Sequence, residues 1–263
     1  MKVGPGELRG LWQREIITYA DGHTDASALI YWMQAESLYA DVRIPHNLAP
    51  FRPNARLDDL HFEEMTELTR VGGFAGRIEL EGGECRWIRK IDWQPDTGVE
   101  DLAQIEVDGN VLVEEGGACG GHQIWRRLTP IHAPTAGWEL RDDGGSCDGV
   151  LVTTAGHFIY ARGRANPISP ASGLAEVLGT FKDDRERARA LFDAEISYGT
   201  IDLEGAWIIA RSTLPWRIGD VLLRPGTALL DRTLTVQEHD QNGRSTLREW
   251  DVVAYEDSSL GGG

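Results

Sequence analysis

Asp41 and Arg43 stand two apart in the run Tyr39-Ala-Asp-Val-Arg43-Ile-Pro45, so on an extended strand both side chains leave the same face. A carboxylate beside a guanidinium suits a general base with an oxyanion partner, and equally a structural ion pair. Ion-pair networks imitate active sites, and the structural reading of this pair outweighs the catalytic one. Downstream, Cys85, Trp87, Arg89, Ile91 and Trp93 alternate onto one strand face and set Arg89 between two tryptophans. A guanidinium walled by aromatics is a strong bidentate donor to a carboxylate or an enol oxygen. The competing readings are an ion pair with Asp41 and a cation–π stack at a rim. His61 falls on the apolar stripe of a helical stretch. There a satisfied core histidine is the simpler fate, and a general base over a barrel mouth the sharper one.

Other chemistries leave no trace. The seven histidines form no His-x-His or His-Glu-x-x-His spacing, and Cys119-Gly-Gly-His122 offers two ligands where zinc needs more. Gly4-Pro-Gly6-Glu-Leu-Arg-Gly10 is off register for a dinucleotide fingerprint, and Gly116 to Gly121 lacks the Lys-Ser/Thr ending of a P-loop. No Gly-x-Ser-x-Gly elbow occurs. No cofactor and no metal is therefore expected. With 42 acidic against 26 basic residues and a formal charge of −16, nucleic acid and anionic membrane surfaces are disfavoured as partners. Three cysteines without a Cys-x-x-Cys pair, and no apolar leader at the first residues, point to the cytoplasm.

The elements that must position these residues are mostly strands. Periodicity predicts them over 8–20, 28–44, 74–81, 84–93, 102–107, 110–115 and 122–128, then over 137–142, 149–164, 193–203, 205–216, 229–239 and 245–256. Turns are expected at Asp21-Gly22, Gly82-Gly83, Asp108-Gly109, Glu204-Gly205 and Asn242-Gly243, and Gly261–Gly263 reads as a loose tail. Within 29–44 the even face (Ile30, Trp32, Gln34, Glu36) is the more apolar. A register flip near Glu36-Ser37 would instead bring Tyr39, Asp41 and Arg43 inside. One helical stretch interrupts each series, at 57–70 and at 172–191, the second broken near Thr180-Phe-Lys-Asp183.

The two series echo each other. Tyr39-x-x-x-Arg43 returns as Tyr160-x-x-x-Arg164, 121 residues on, and Trp12, Trp87, Trp93 and Trp125 return as Trp138, Trp207, Trp216 and Trp250. A period of that size is a small domain. The chain thus reads as all-β with short helices: two tandem lipocalin-like antiparallel β-barrels from an internal duplication, at 1–132 and 137–258, each with its helix over an open end. The block Leu11-Trp-Gln-Arg14, Tyr31-Trp-Met-Gln34 and Leu38 to Pro45 resembles a group of uncharacterised bacterial proteins. More distantly, Trp93-Gln-Pro95, the Gly149-Val-Leu-Val strand and Leu247-Arg-Glu-Trp-Asp-Val-Val253 resemble the fungal Hri family, named for interaction with a protein kinase. That resemblance implies two packed lipocalin-like barrels, no established activity and no catalytic residues to carry over.

A motif present in both halves is more scaffold than chemistry, so function is sought where the copies disagree: Asp41 against Arg162, Val42 against Gly163, and the unpaired Trp32. The expected function is binding of a small, mainly apolar or aromatic molecule in the N-terminal barrel by Trp32, Gln34, Tyr39, Trp87, Arg89 and Trp125. The alternative is a cofactor-independent lyase, isomerase or hydrolase in the same cavity, with Asp41, His61 and Arg43 as catalytic candidates. A protein-interaction module with solid barrels is the third reading, and a homodimer is left open.

Overall fold

The computed structural model describes residues 3–52, 55–118, 120–145, 147–229, 231–239 and 244–259. The Asn242-Gly243 turn, Cys119 and the glycine tail lie outside them. Strands β1 (Gly10–Tyr19), β2 (Thr24–Asp25), β3 (Ala28–Gln34), β4 (Leu38–Pro45), β5 (Gly72–Glu81), β6 (Glu84–Asp92), β7 (Leu102–Asp108), β8 (Val111–Gly116) and β9 (Gly121–Arg127) form one antiparallel sheet. It closes into a barrel where β1 pairs with β9. The second sheet contains β10 (Thr135–Asp142), β11 (Asp148–Thr154), β12 (His157–Arg162), β13 (Glu195–Ile201), β14 (Trp207–Ser212), β15 (Val221–Leu223), β16 (Thr233–His239) and β17 (Ser245–Asp257). Its order is β15-β14-β13-β12-β11-β10-β17-β16, which leaves it nearly closed. Leaving aside the two-residue β2, each barrel uses its strands in the same chain order, with helical turns between its third and fourth strands.

Three cores explain the sequence pattern. Trp12, Ile30, Trp32, Tyr39, Phe74, Ile78, Cys85, Trp87, Ile105, Leu112 and Trp125 fill the first barrel. Trp138, Leu140, Leu151, Phe158, Tyr160, Trp207, Ile209, Leu234 and Trp250 fill the second. The third lies between the barrels, where Met33, Ala40 and Val42 from the outside of the first meet Val150, Val152, Ile159, Ala161 and Ile196 from the outside of the second. Strands β3, β4, β11 and β12 are therefore buried on both faces.

The 28–44 run, long enough for one bent strand or two short ones, is two strands in a hairpin with its turn at Ala35–Ser37. The turn resets the alternation: even residues Ile30 and Trp32 point inward on β3, and odd residues Tyr39, Asp41 and Arg43 do so on β4.

The helical stretches differ from expectation in length and place. The first is a 3-10 turn at Leu57–Asp59 followed by α-helix Phe62–Leu68, since Leu60 is extended and the Glu64 carboxylate accepts the His61 N–H at 2.9 Å, restarting the helix there. The second divides into helices Leu174–Gly179 and Arg185–Ala190, the latter capped by Asp184 accepting from the Arg187 N–H. Neither stopper fills a barrel end. Leu57, Leu60, Met65, Leu68, Leu174, Leu178 and Ala188 all join the inter-barrel core. Among the described residues no helix is long and apolar enough to cross a membrane.

Corresponding strand pairs each carry a bulge at a glycine, between Ala75 and Gly76 against β6 and between Tyr198 and Gly199 against β14. A Cβ at Gly76 would lie 2.0 Å from the Ile88 carbonyl oxygen, and one at Gly199 2.2 Å from that of Ile208. Backbone cannot retreat from such overlap as a side-chain end can. Gly76→Ala and Gly199→Ala should each lower stability by at least about 2 kcal/mol in urea unfolding, the scale of an overpacked core.

Candidate functional site

A cavity of about 350 Å³ opens inside the first barrel. Trp32 from β3, Trp87 from β6 and Trp125 from β9 wall it. Trp32 is the central plate, with the Trp87 and Trp125 rings edge-on to it at 6.0 and 5.8 Å and Trp12 stacked behind it at 6.5 Å. The Trp32 indole N–H is buried and meets no acceptor. The rim is shared between the halves: Gln94, Pro95 and Thr97 follow β6, and Ser172 and Gly173 come from the second half of the chain. Gln94 fixes that rim, donating to the Thr69 and Val71 carbonyls while accepting the Leu174 N–H.

Polar groups enter this aromatic chamber from five strands or their ends. Asp41 accepts from Arg43 Nε at 2.7 Å and from the Phe74 N–H at 2.9 Å. Burial pushes its carboxyl up from the ordinary value, against the pull of those donors. Both Arg43 and Arg89 lie on the Phe74 ring, 4.5 and 3.8 Å from its centroid. The Arg89 guanidinium bonds Asp92 through one nitrogen and Asp101 through another. Glu114 of β8 accepts from Gln123 Nε2 at 2.6 Å and Trp125 Nε1 at 3.0 Å, both neutral donors. Among the described residues no cation lies within ion-pair distance of it, and burial drives its carboxyl up to about 7.

The structure thus brings Trp32, Asp41, Arg43, Trp87, Arg89 and Trp125 to one cavity. It does not bring the other three there. Gln34 is spent inside the hairpin, where its amide nitrogen reaches the Glu36 and Leu38 carbonyls. Tyr39 is buried edge-on against Phe74, away from the cavity lining, and its hydroxyl has no partner. His61 is neither a core residue nor a base at a mouth: it is exposed at the start of its helix, because the helix begins there and not four residues earlier. Arg89 offers no open fork to a carboxylate, since two aspartates already hold it. Glu114, Gln123, Asp101 and Phe74 are lining residues that strand reading did not single out. The signal for Glu114 was present in Val111-Leu-Val-Glu114, whose alternation puts Leu112 and Glu114 on one face.

The second barrel handles the same positions differently. Across its ladders, the trio Trp32, Asp41 and Phe74 of the first barrel corresponds to Gly149, Arg162 and Glu195 when Tyr39 is matched to Tyr160. Its buried acids are each met by arginine: Glu195 by Arg217 at 3.0 Å, Glu238 by Arg248 at 2.8 Å with Arg162 at 3.6 Å. Tyr160 donates to Glu238 at 2.6 Å. Beside its apolar core, this interior answers its buried acids with arginine. Among the described residues no group of three His, Cys, Asp or Glu could hold a metal ion in either barrel.

Glu114 makes a testable contribution to stability. The folded chain keeps its proton up to about 7, whereas an unfolded glutamate releases it near 4.5. The folded state binds more protons in that window, so stability falls as pH rises through it, by up to about 3 kcal/mol. Glu114→Gln should match the parent near pH 5 and exceed it above pH 7.5, read as the difference between their urea midpoints.

No known family profile matches the chain, and no curated protein matches it. Among solved structures it is similar to the crystal structure of the uncharacterized protein YLR301w from Saccharomyces cerevisiae, at TM-score 0.57 and 12% identity, over 95% of this chain and 99% of that one. At that identity the likeness is one of fold.

Proposed function

We propose that the protein is a binding protein for a small, mainly apolar molecule, held among Trp32, Trp87 and Trp125 in the first barrel. The observation that carries this reading is the contrast between the barrels. One encloses about 350 Å³ beside three tryptophans, within the size range of ligand pockets. The other spends its interior on arginine–carboxylate pairs. Flat, rigid indoles give a ligand large contact area at little entropic cost, and the buried polar groups fix its orientation. We read the repeated strand order as a duplication after which one copy kept a chamber and the other was filled. We place the protein in the cytoplasm, a reading supported by the free, buried thiols of Cys85 and Cys147.

A second reading rests on Glu114. A carboxyl near 7 inside a cavity is tuned for proton transfer at neutral pH, as a cofactor-independent lyase, isomerase or hydrolase would require. Arg43 beside it would steady developing negative charge.

The neutral dye N-phenyl-1-naphthylamine should bind the parent protein with a rise in its emission and quenching of tryptophan fluorescence. Thr97→Trp, which plugs the rim, should reduce that binding about tenfold, the worth of roughly 1.4 kcal/mol. Uptake unchanged by Thr97→Trp would move the site elsewhere, and no uptake by the parent would refute a binding chamber.

A further inference from the structure

The charges that line the chamber do not balance. Asp41, Asp101 and Glu114 face Arg43 and Arg89 there, so once Glu114 is ionised one negative charge is left over. The two guanidiniums are committed: Arg43 Nε to Asp41, and Arg89 to Asp92 and Asp101. Asp101 also takes the Ala118 N–H at 2.8 Å on its other oxygen. Glu114 alone of the three acids receives hydrogen bonds from neutral groups only.

The second barrel supplies the comparison. Its strand β16 holds the same place in the order as β8 and also carries a buried glutamate, Glu238, 4% exposed against 6% for Glu114. Glu238 is answered by the chain's own cations, Arg248 and Arg162. In the first barrel Asp41 stands where β12 has Arg162, and the space beside Glu114 is the open chamber. Gly117, at φ +72°, keeps it open: a Cβ there would lie 2.8 Å from Glu114 Oε1 and 3.4 Å from Asp101 Oδ1. Three tryptophan rings around a carboxylate with no cation form the kind of box that holds an organic ammonium through cation–π attraction.

Resting on the binding reading above, we propose that the ligand of the first barrel is an organic cation: its ammonium lies against Glu114, and its apolar body lies among Trp32, Trp87 and Trp125. Binding needs Glu114 ionised, so affinity is coupled to pH. The groups facing Glu114 are Arg14 from β1 through Gln123, Arg43 from β4, Cys85 from β6 and Asp101 ahead of β7. The arginines favour the ionised form, Asp101 opposes it, and burial holds the Cys85 thiol protonated.

The test uses a permanent cation, benzyltrimethylammonium, beside its uncharged isostere neopentylbenzene, with tryptophan quenching in the full chain. Benzyltrimethylammonium should bind at least tenfold more tightly. Its affinity should fall about tenfold from pH 8 to pH 6, as one required deprotonation near 7 dictates, while that of neopentylbenzene stays level. Glu114→Gln should erase both the preference and the pH dependence. Gln123→Arg, which supplies the guanidinium that the second barrel uses, gives an independent check should Glu114→Gln fail to fold, and it should abolish cation binding. Equal affinity for the two probes, a level pH profile for the cation, or full cation binding by Gln123→Arg would overturn the proposal and leave the apolar chamber standing. Failure of both probes and of the neutral dye would overturn the chamber as well.

Discussion

The apolar layer between the barrels is the constraint on which the rest depends. Strands β4 and β12 have no solvent side, since Ala40 and Val42 meet Ile159 and Ala161 across that layer while Tyr39 and Tyr160 point into their own barrels. Sliding β4 by one residue would exchange its two faces, putting Asp41 and Arg43 into the shared core. The register that seals the layer is thus the register that aims the polar pair into the chamber. Around it runs a polar seam. Arg77 reaches Glu139 and Glu256, Lys90 reaches Glu139 and Asp148, and Arg164 donates to the carbonyls of Asp92 and Trp93. Burying both faces of four strands joins the barrels in one body and lets Ser172 and Gly173 complete a rim that the first barrel alone would lack.

Within that body, the two barrels answer one physical problem in different ways. A carboxylate taken out of water must be paired, hydrogen-bonded or protonated. The second barrel pairs its buried acids with Arg217, Arg248 and Arg162 beside an apolar core. The first barrel keeps aromatic walls, turns Arg43 and Arg89 against Phe74, and leaves Glu114 to neutral donors and a raised pKa. Beside Glu114, where no arginine among the described residues fills the space, the first barrel keeps its chamber.

Much of this was written in one dimension. Period-two alternation located nearly all the strands, glycine pairs located the turns, and the recurring tryptophans exposed two copies of one order. Alternation in β6 put Trp87 and Arg89 on a common face. The bulge opposite Ala75 and Gly76, however, turns Ile91 and Trp93 into the core between the barrels, so Arg89 does not lie between two tryptophans. The disagreement between Asp41 and Arg162 pointed to the barrel with the chamber. These are local properties, because side-chain direction on a strand is set by its own backbone. The helical stripes were equally legible: Leu57, Leu60, Met65 and Leu68 do face a core.

What local pattern could not say is which core, or what each polar group would meet. An apolar stripe specifies burial and is silent about the surface it meets, so helices read as barrel stoppers became the filling between barrels. Alternation within 29–44 could not reveal that three residues, Ala35–Ser37, form a turn, and hence whether Gln34 or Asp41 reached the chamber. Arg89, read as an open donor, is closed by Asp92 and by Asp101, twelve residues away along the chain. Glu114 owes its raised pKa to burial first, with Asp101 adding to it, against the pull of Arg43, Trp125 and Arg14. Sequence by itself determined most of the strands and the two-barrel, all-β order. Only tertiary structure decided the partners of the charges, because pairing and desolvation depend on groups that the chain brings together across many residues.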